Sequence, residues 1–341
     1  MKSISSILLI VTFLSISLIG CKNGNKTPKN NATQQTEIIE YKGSASVSQG
    51  LATVEIENIY ECDRGRKAPI GTSIALDDSE WTVPAIVHFT DNNFPFASDL
   101  FNPCTKVEYA TADEAIAALD GTDIIEVDAD GEVITAFIFA DNYFEMYING
   151  VPVGKDNVPF TQFNSNIVRF KVNKPFTIAM KLVDWEENSG LGSESNRGTD
   201  FHPGDGGMVG VFKDANNKTI ATTNSNWKAQ TYYTAPIKDL SCVTENGALR
   251  LSENCSTEGP EDGSTYFALH WKTPENWQTS SFDDSQWPNA TEYTNKIIGV
   301  DNKPSYTNFT DIFDDMATDA QFIWSTNVIL DNEVLVRYTV E

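Results

Sequence analysis

Period-two alternation of apolar and polar residues constrains this chain more than any other feature. Phe144, Met146 and Ile148 alternate with Glu145, Tyr147 and Asn149. Val168, Phe170 and Val172 repeat the pattern, as do Phe176, Ile178, Met180 and Leu182, and finally Val334, Val336, Tyr338 and Val340. Successive side chains of a strand point to opposite faces, so this spacing predicts half-buried β-strands. Asn149-Gly150 stands between one such run and Val151-Pro152-Val153. Both residues accept the positive φ of a type I′ turn, so a hairpin is expected here. One helix is legible. Thr111 and Glu114 have capping-box spacing, Ala112–Asp120 follows, and Gly121 suits its end. The expected fold class is all-β, with long polar loops at 186–207 and 252–265.

Composition narrows the function. The chain has 341 residues, with 24 Lys+Arg against 48 Asp+Glu, a net charge of −24. Nucleic acid demands a basic footprint and is excluded as a partner. Apolar residues make up 40% and aromatic residues 11% of the chain, which argues against disorder.

The N-terminus reads as an address. Lys2 precedes the apolar run Ile7–Ile19, too short for a bilayer span of about 20 residues but suited to a signal peptide. The run ends in Leu18-Ile19-Gly20-Cys21, which resembles a bacterial lipobox. The resemblance implies a leader at 1–20, acylation of Cys21 and a membrane partner reached through that lipid. Lys22 rather than Asp follows the cysteine, which by resemblance to lipoprotein sorting favours the outer over the inner membrane. Residues 21–40 are polar and rich in Asn, Lys and Pro, and read as a tether. Four cysteines remain: Cys62, Cys104, Cys242 and Cys255. Disulfides suit an exported chain. Proximity in sequence favours Cys62–Cys104 and Cys242–Cys255 among the three connectivities. No CxxC spacing occurs, which argues against a zinc knuckle or a thioredoxin-like site.

From about residue 131 to the end the chain resembles galactose-binding-like β-sandwich domains. The marks are Ala140-Asp141-Asn142-Tyr143-Phe144 with Asn149-Gly150, Lys174-Pro175-Phe176-Thr177-Ile178-Ala179, and Gly206-Gly207-Met208-Val209-Gly210. Thr223-Asn224-Ser225-Asn226-Trp227-Lys228, Phe282-Asp283-Asp284-Ser285-Gln286-Trp287 and Ala320-Gln321-Phe322-Ile323-Trp324 follow in order. Pro175 stands where the pattern usually has Asn. The resemblance implies a jelly-roll sandwich over 131–341, carbohydrate binding through loops at one end, and in several such domains a structural calcium ion. Residues 41–130 match no pattern. They read as a smaller, disulfide-containing β-rich region that either adds strands to the sandwich or closes a unit of its own. Within them Leu76-Asp77-Asp78-Ser79-Glu80-Trp81 parallels the Phe282–Trp287 turn.

The loop after Leu182 carries the most functional groups. Sugar sites combine an aromatic face with groups that grip hydroxyls. Trp185, Glu186, Asn188, Arg197 and His202 are the candidates for such a site. The competing reading folds Trp185 back as packing beneath a solvated acidic loop. Asp184, Asp200 and Asp205, with carbonyls near Gly204–Gly207, supply hard oxygens of the kind a structural calcium ion takes. His88, His202 and His270 form no HxH or HExxH motif. His270 and Trp271, Trp277, Trp287 and Trp324 lie in strand or turn text and read as core. The expected function is a lipid-anchored envelope protein that binds carbohydrate or another envelope partner without catalysis. The alternatives are a carbohydrate hydrolase or lyase using the loop carboxylates Asp184, Glu186 or Glu187, and a structural component of an envelope complex.

Overall fold

Alternating strands bury one face each and need a second sheet to cover it. A computed structural model of the chain describes residues 41–195, 198 and 200–341. The leader, Cys21, the tether and Arg197 lie outside the described residues. Two large sheets dominate. The seven-stranded sheet runs Ser46–Gln49, Phe267–His270, Lys228–Ile237, Asp331–Val340, Phe176–Val183, Tyr143–Ile148, Val151–Lys155. The main path of the nine-stranded sheet runs Thr291–Tyr293, Phe322–Trp324, Gly207–Lys213, Glu132–Asp141, Ser165–Val172, Ser98–Asn102, Val107–Glu108. Met146, Ile178, Met180 and Val336 from the first sheet share one core with Ile134, Ile138, Ile167 and Val211 from the second. The protein is all-β and sandwich-like, with a few short helices.

The hairpin forms at Asn149-Gly150, with φ of 52° and 89°. The helix spans Ala112–Ala117, and Thr111 Oγ1 accepts from Glu114 N at 3.2 Å. Glu114 Oε2 reaches back to Ala110 N at 3.1 Å, one residue before the cap. Both disulfides are present, Cys62–Cys104 and Cys242–Cys255. Residues 41–130 contribute Ser46–Gln49 to one large sheet, and Ser98–Asn102, Val107–Glu108 and Ile124–Glu126 to the other. They also form a three-stranded sheet, Thr53–Ile56, Ile70–Ile74 and Glu80–Val83. The two parallel turns share their local chemistry. Ser79 N donates to Asp77 Oδ1 at 3.1 Å, and Ser285 N to Asp283 Oδ1 at 3.0 Å.

Half-burial is where the structure departs from expectation. Tyr143–Ile148 and Phe176–Val183 are buried on both faces. Tyr147, Tyr232 and Leu335 on the outer face of the seven-stranded sheet are covered by Trp271, Trp277 and Trp287. The charges on that face are neutralised in pairs: Glu145 with His88 at 2.9 Å, Lys181 with Glu333 at 2.9 Å, Arg337 with Asp284 at 2.7 Å. Alternation identified the strands correctly, but it cannot tell solvent from a covering loop.

Candidate functional site

The loop after Phe176–Val183 is packed rather than draped. Asp184 N bonds Asn332 O at 2.8 Å and carries the chain off the sheet. Trp185 is fully buried; its Nε1 donates to Pro69 O at 3.0 Å and its N to Asn142 Oδ1 at 2.6 Å. Tyr143 meets it edge to face at 5.8 Å. Trp185 therefore offers no face to a sugar, and the packing alternative is the one realised. Glu186 is buried too, accepting from Gly190 N and from Tyr233 OH at 3.3 Å. It ties down the turn at Gly190, whose φ of +84° favours glycine. Burial pushes its carboxyl up to about 8. Buried beneath the turn, it does not reach a ligand from this position, which corrects its assignment as a sugar-gripping or catalytic group. Asn188 zips the loop, donating to Ser193 Oγ at 3.1 Å and accepting from Ser195 Oγ at 3.0 Å. With Lys67, Glu187 and Ser195 it borders a shallow concavity of about 350 Å³. His202 bridges to Glu194, its Nδ1 lying 2.9 Å from that carbonyl.

Below this loop the fold gathers carboxylates. Asp184 is 2% exposed; burial first, then Glu194, Asp141 and Asp205, raises its carboxyl well above the usual range. Burial and the neighbouring Asp141 push Asp205 up to about 7. Lys303 Nζ sits 2.7 Å from Asp141, and Arg66 pairs with Glu194. The cluster thus joins Asp184 and Asp205 but not Asp200, which is exposed. Among the described residues no group of three or more His, Cys, Asp or Glu side chains is arranged to hold a metal ion. The expected trio of Asp184, Asp200 and Asp205 does not assemble, and Lys303 and Arg66 supply positive charge that calcium would bring. Among the described residues, these three carboxylates do not form a calcium site.

Lys303 links this cluster to a concavity of about 340 Å³ lined by Phe101, Pro103, Gln162, Phe163, Asn302 and Lys303. The lysine ammonium lies over the Phe163 ring at 3.5 Å. Phe101 and Pro103 close the strand Ser98–Asn102, next to the Cys62–Cys104 bridge. Asn302 ends a short 3₁₀ turn, Val300–Asn302. The side-chain amides of half-buried Gln162 and exposed Asn302 border it, each a group with two donors and a carbonyl. An apolar floor rimmed by amides and one fixed ammonium suits a polyhydroxylated molecule. Sequence reasoning missed these residues. Gln162 and Asn302 are 140 positions apart and share no motif; only the turn's approach to the strand end joins them.

A second cluster lies on the outer face of the seven-stranded sheet. Glu145, fully buried, accepts from His88 N, from Tyr143 OH at 3.2 Å and from Tyr147 OH at 3.2 Å. Burial pushes its carboxyl up, but the His88 bond and Lys181 outweigh that and leave it lowered. The Glu145 hydrogen bond raises the His88 imidazole. This pair latches the 84–97 loop, with Lys155 Nζ capping His88 O, Phe89 O and Asp91 O at 2.7–2.8 Å. His270 is a core histidine as expected. It is stacked between Trp81 and Tyr233, hydrogen-bonded to Ser48, and pushed by burial down to about 3.

No protein-family model, curated protein or solved structure matches the chain.

Proposed function

We propose that this is a lipid-anchored envelope protein whose galactose-binding-like sandwich binds a carbohydrate without turning it over. The observation that carries the reading is the concavity at Phe101, Gln162, Phe163, Asn302 and Lys303, where two side-chain amides rim an apolar floor. Lys303 is neutralised by Asp141, and the chain carries −24 overall. A neutral sugar therefore fits better than an anionic one. The lipobox-like Leu18–Cys21 and the polar tether support an envelope location, the outer membrane in particular.

The test is a glycan-array screen of the leader-free protein, followed by titration of each hit against the Gln162→Ala/Asn302→Ala variant. Binding to neutral glycans is expected, weakened at least tenfold in the variant, and unaffected by EDTA. Unchanged affinity in the variant would remove the site. An array without hits from folded protein would remove the carbohydrate reading.

A further inference from the structure

Carboxylates and carboxamides gather where the strand Ser98–Asn102 meets Ser165–Val172. The antiparallel register sets Asp99 opposite Asn166. Asp156 and Asn157 follow the strand Val151–Lys155, and Asn164 leads into Ser165–Val172. Asp156, Asn164 and Asn166 are buried, while Asp99 and Asn157 are half-buried. The hydrogen-bond count at the centre does not close. A side-chain amide nitrogen has only two hydrogens. Asn164 Nδ2 nevertheless has Asp156 Oδ1 at 2.8 Å, Asn157 Oδ1 at 3.0 Å and Asn166 Oδ1 at 3.2 Å around it. Asn166 is 1% exposed, and its Nδ2 has no hydrogen-bond partner. The one hydrogen bond of its side chain aims its oxygen at this centre. An orphaned buried donor is costly, so the rest of the fold gives the amide little reason to lie there.

We propose that this cage binds one calcium ion through the side-chain oxygens of Asp156, Asn157, Asn164 and Asn166. The ion takes the point where the three oxygens converge, and Asn164 withdraws its nitrogen and turns its own oxygen inward. Asp99 stands one amide further out, with Asn157 Nδ2 donating to its Oδ1 at 2.8 Å, and supplies the second negative charge. Neither Asp99 nor Asp156 has an ion pair among the described residues. The cluster around Asp141 and Glu194 differs, because Lys303 and Arg66 already neutralise it. Asn102 braces the cage. Its oxygen accepts from Cys104 N at 2.9 Å and Thr105 N at 3.2 Å, and its amide holds Asp99 at 2.9 Å. Calcium takes about six to eight oxygens in irregular arrangements, whereas magnesium demands a regular octahedron and keeps several waters. A buried cage of unevenly spaced carboxylate and amide oxygens therefore favours calcium. None of these residues lines the concavity at Phe101, Gln162 and Phe163, so the ion braces the fold without touching the sugar.

The experiment strips the leader-free protein with EGTA and titrates it with calcium chloride or magnesium chloride, followed by calorimetry and thermal unfolding. The expected result is one calcium per chain and a thermal midpoint raised by about 5 °C at saturating calcium. Magnesium at the same concentration should raise it less. Asp156→Asn keeps the shape of the cage and removes its central charge, and should abolish binding. Asp99→Asn, at a half-buried position, should weaken binding at least tenfold, and it carries the test if Asp156→Asn does not fold. Neither heat nor a shift in midpoint with calcium would overturn the proposal and leave a hydrogen-bonded network alone. An equal response to magnesium would overturn it, as would full calcium binding in the folded variants, which would place the ion elsewhere.

Discussion

Glu186 shows how one residue changes meaning between sequence and structure. In the sequence it is an acid in a polar loop, beside a tryptophan. In the fold it is a buried acceptor for Gly190 N and Tyr233 OH, pushed up to about 8. Its folded value lies above its ordinary one, so the native state holds the proton more tightly. The stability it contributes is complete below about pH 4.5 and is lost as pH rises through 8. Asp205 and Asp156, both raised to about 7, act in the same direction. His270 acts oppositely. Its depressed value makes acid destabilising, from the ordinary imidazole range down through about 3. Wild-type stability should therefore decline between pH 5 and 9. Glu186→Gln, which cannot ionise, should remove about 4 kcal/mol of that decline between pH 5 and 9. Urea unfolding at the two pH values checks this; identical slopes for both proteins would show that Glu186 ionises freely when folded.

At the scale of elements, local signals were reliable where a single residue pair decided the conformation. Asn149-Gly150 specified a turn because few other pairs accept two positive φ values. Thr111 and Glu114 specified a helix start because their side chains satisfy nearby backbone N–H groups. The four-residue helices Asn295–Ile298, Pro304–Thr307 and Thr310–Phe313 were not legible, since one turn is too short to show a period. Tertiary packing forms them: Tyr306 and Phe322 press on Phe139 at 5.6 and 5.9 Å. The Phe282–Trp287 turn has both a local and a distant determinant. Its Asx bond is local, but Arg337 grips Asp284 at 2.7 Å and the carbonyls of Trp277 and Thr279 from another strand. Arg337→Met should cost about 3 kcal/mol, because it strands four acceptors, Asp284 and the carbonyls of Trp277, Thr279 and Phe282. Chemical denaturation measures it. A loss below about 1 kcal/mol would mean that the turn stands by local bonds alone.

At the scale of the whole molecule, the disulfides fasten loops of different length onto the sandwich. Cys62 and Cys104 are 42 residues apart, Cys242 and Cys255 only 13. In the chain-entropy account the longer closure stabilises by roughly 4 kcal/mol and the shorter by roughly 3. The Cys62→Ala/Cys104→Ala protein should therefore unfold at lower urea than the Cys242→Ala/Cys255→Ala protein. The reverse order would place the larger stabilisation in native contacts around the 242–255 loop rather than in chain closure. The longer bridge also borders the proposed sugar site, so its removal should weaken glycan binding before global unfolding.

Strand identity, the hairpin, the helix cap and the all-β class were determined by sequence, because each depends on residues close together along the chain. The preference for core over platform at His270, Trp271, Trp277 and Trp287 was also legible, since their strand and turn surroundings already implied burial. The fate of Trp185, the buried pairing of Glu145 with His88, the gathering of Asp141, Asp184, Glu194 and Asp205, and the meeting of Gln162 with Asn302 were decided only in three dimensions. Each depends on which distant segment covers which face, and burial by a distant segment leaves no mark on the residues it covers.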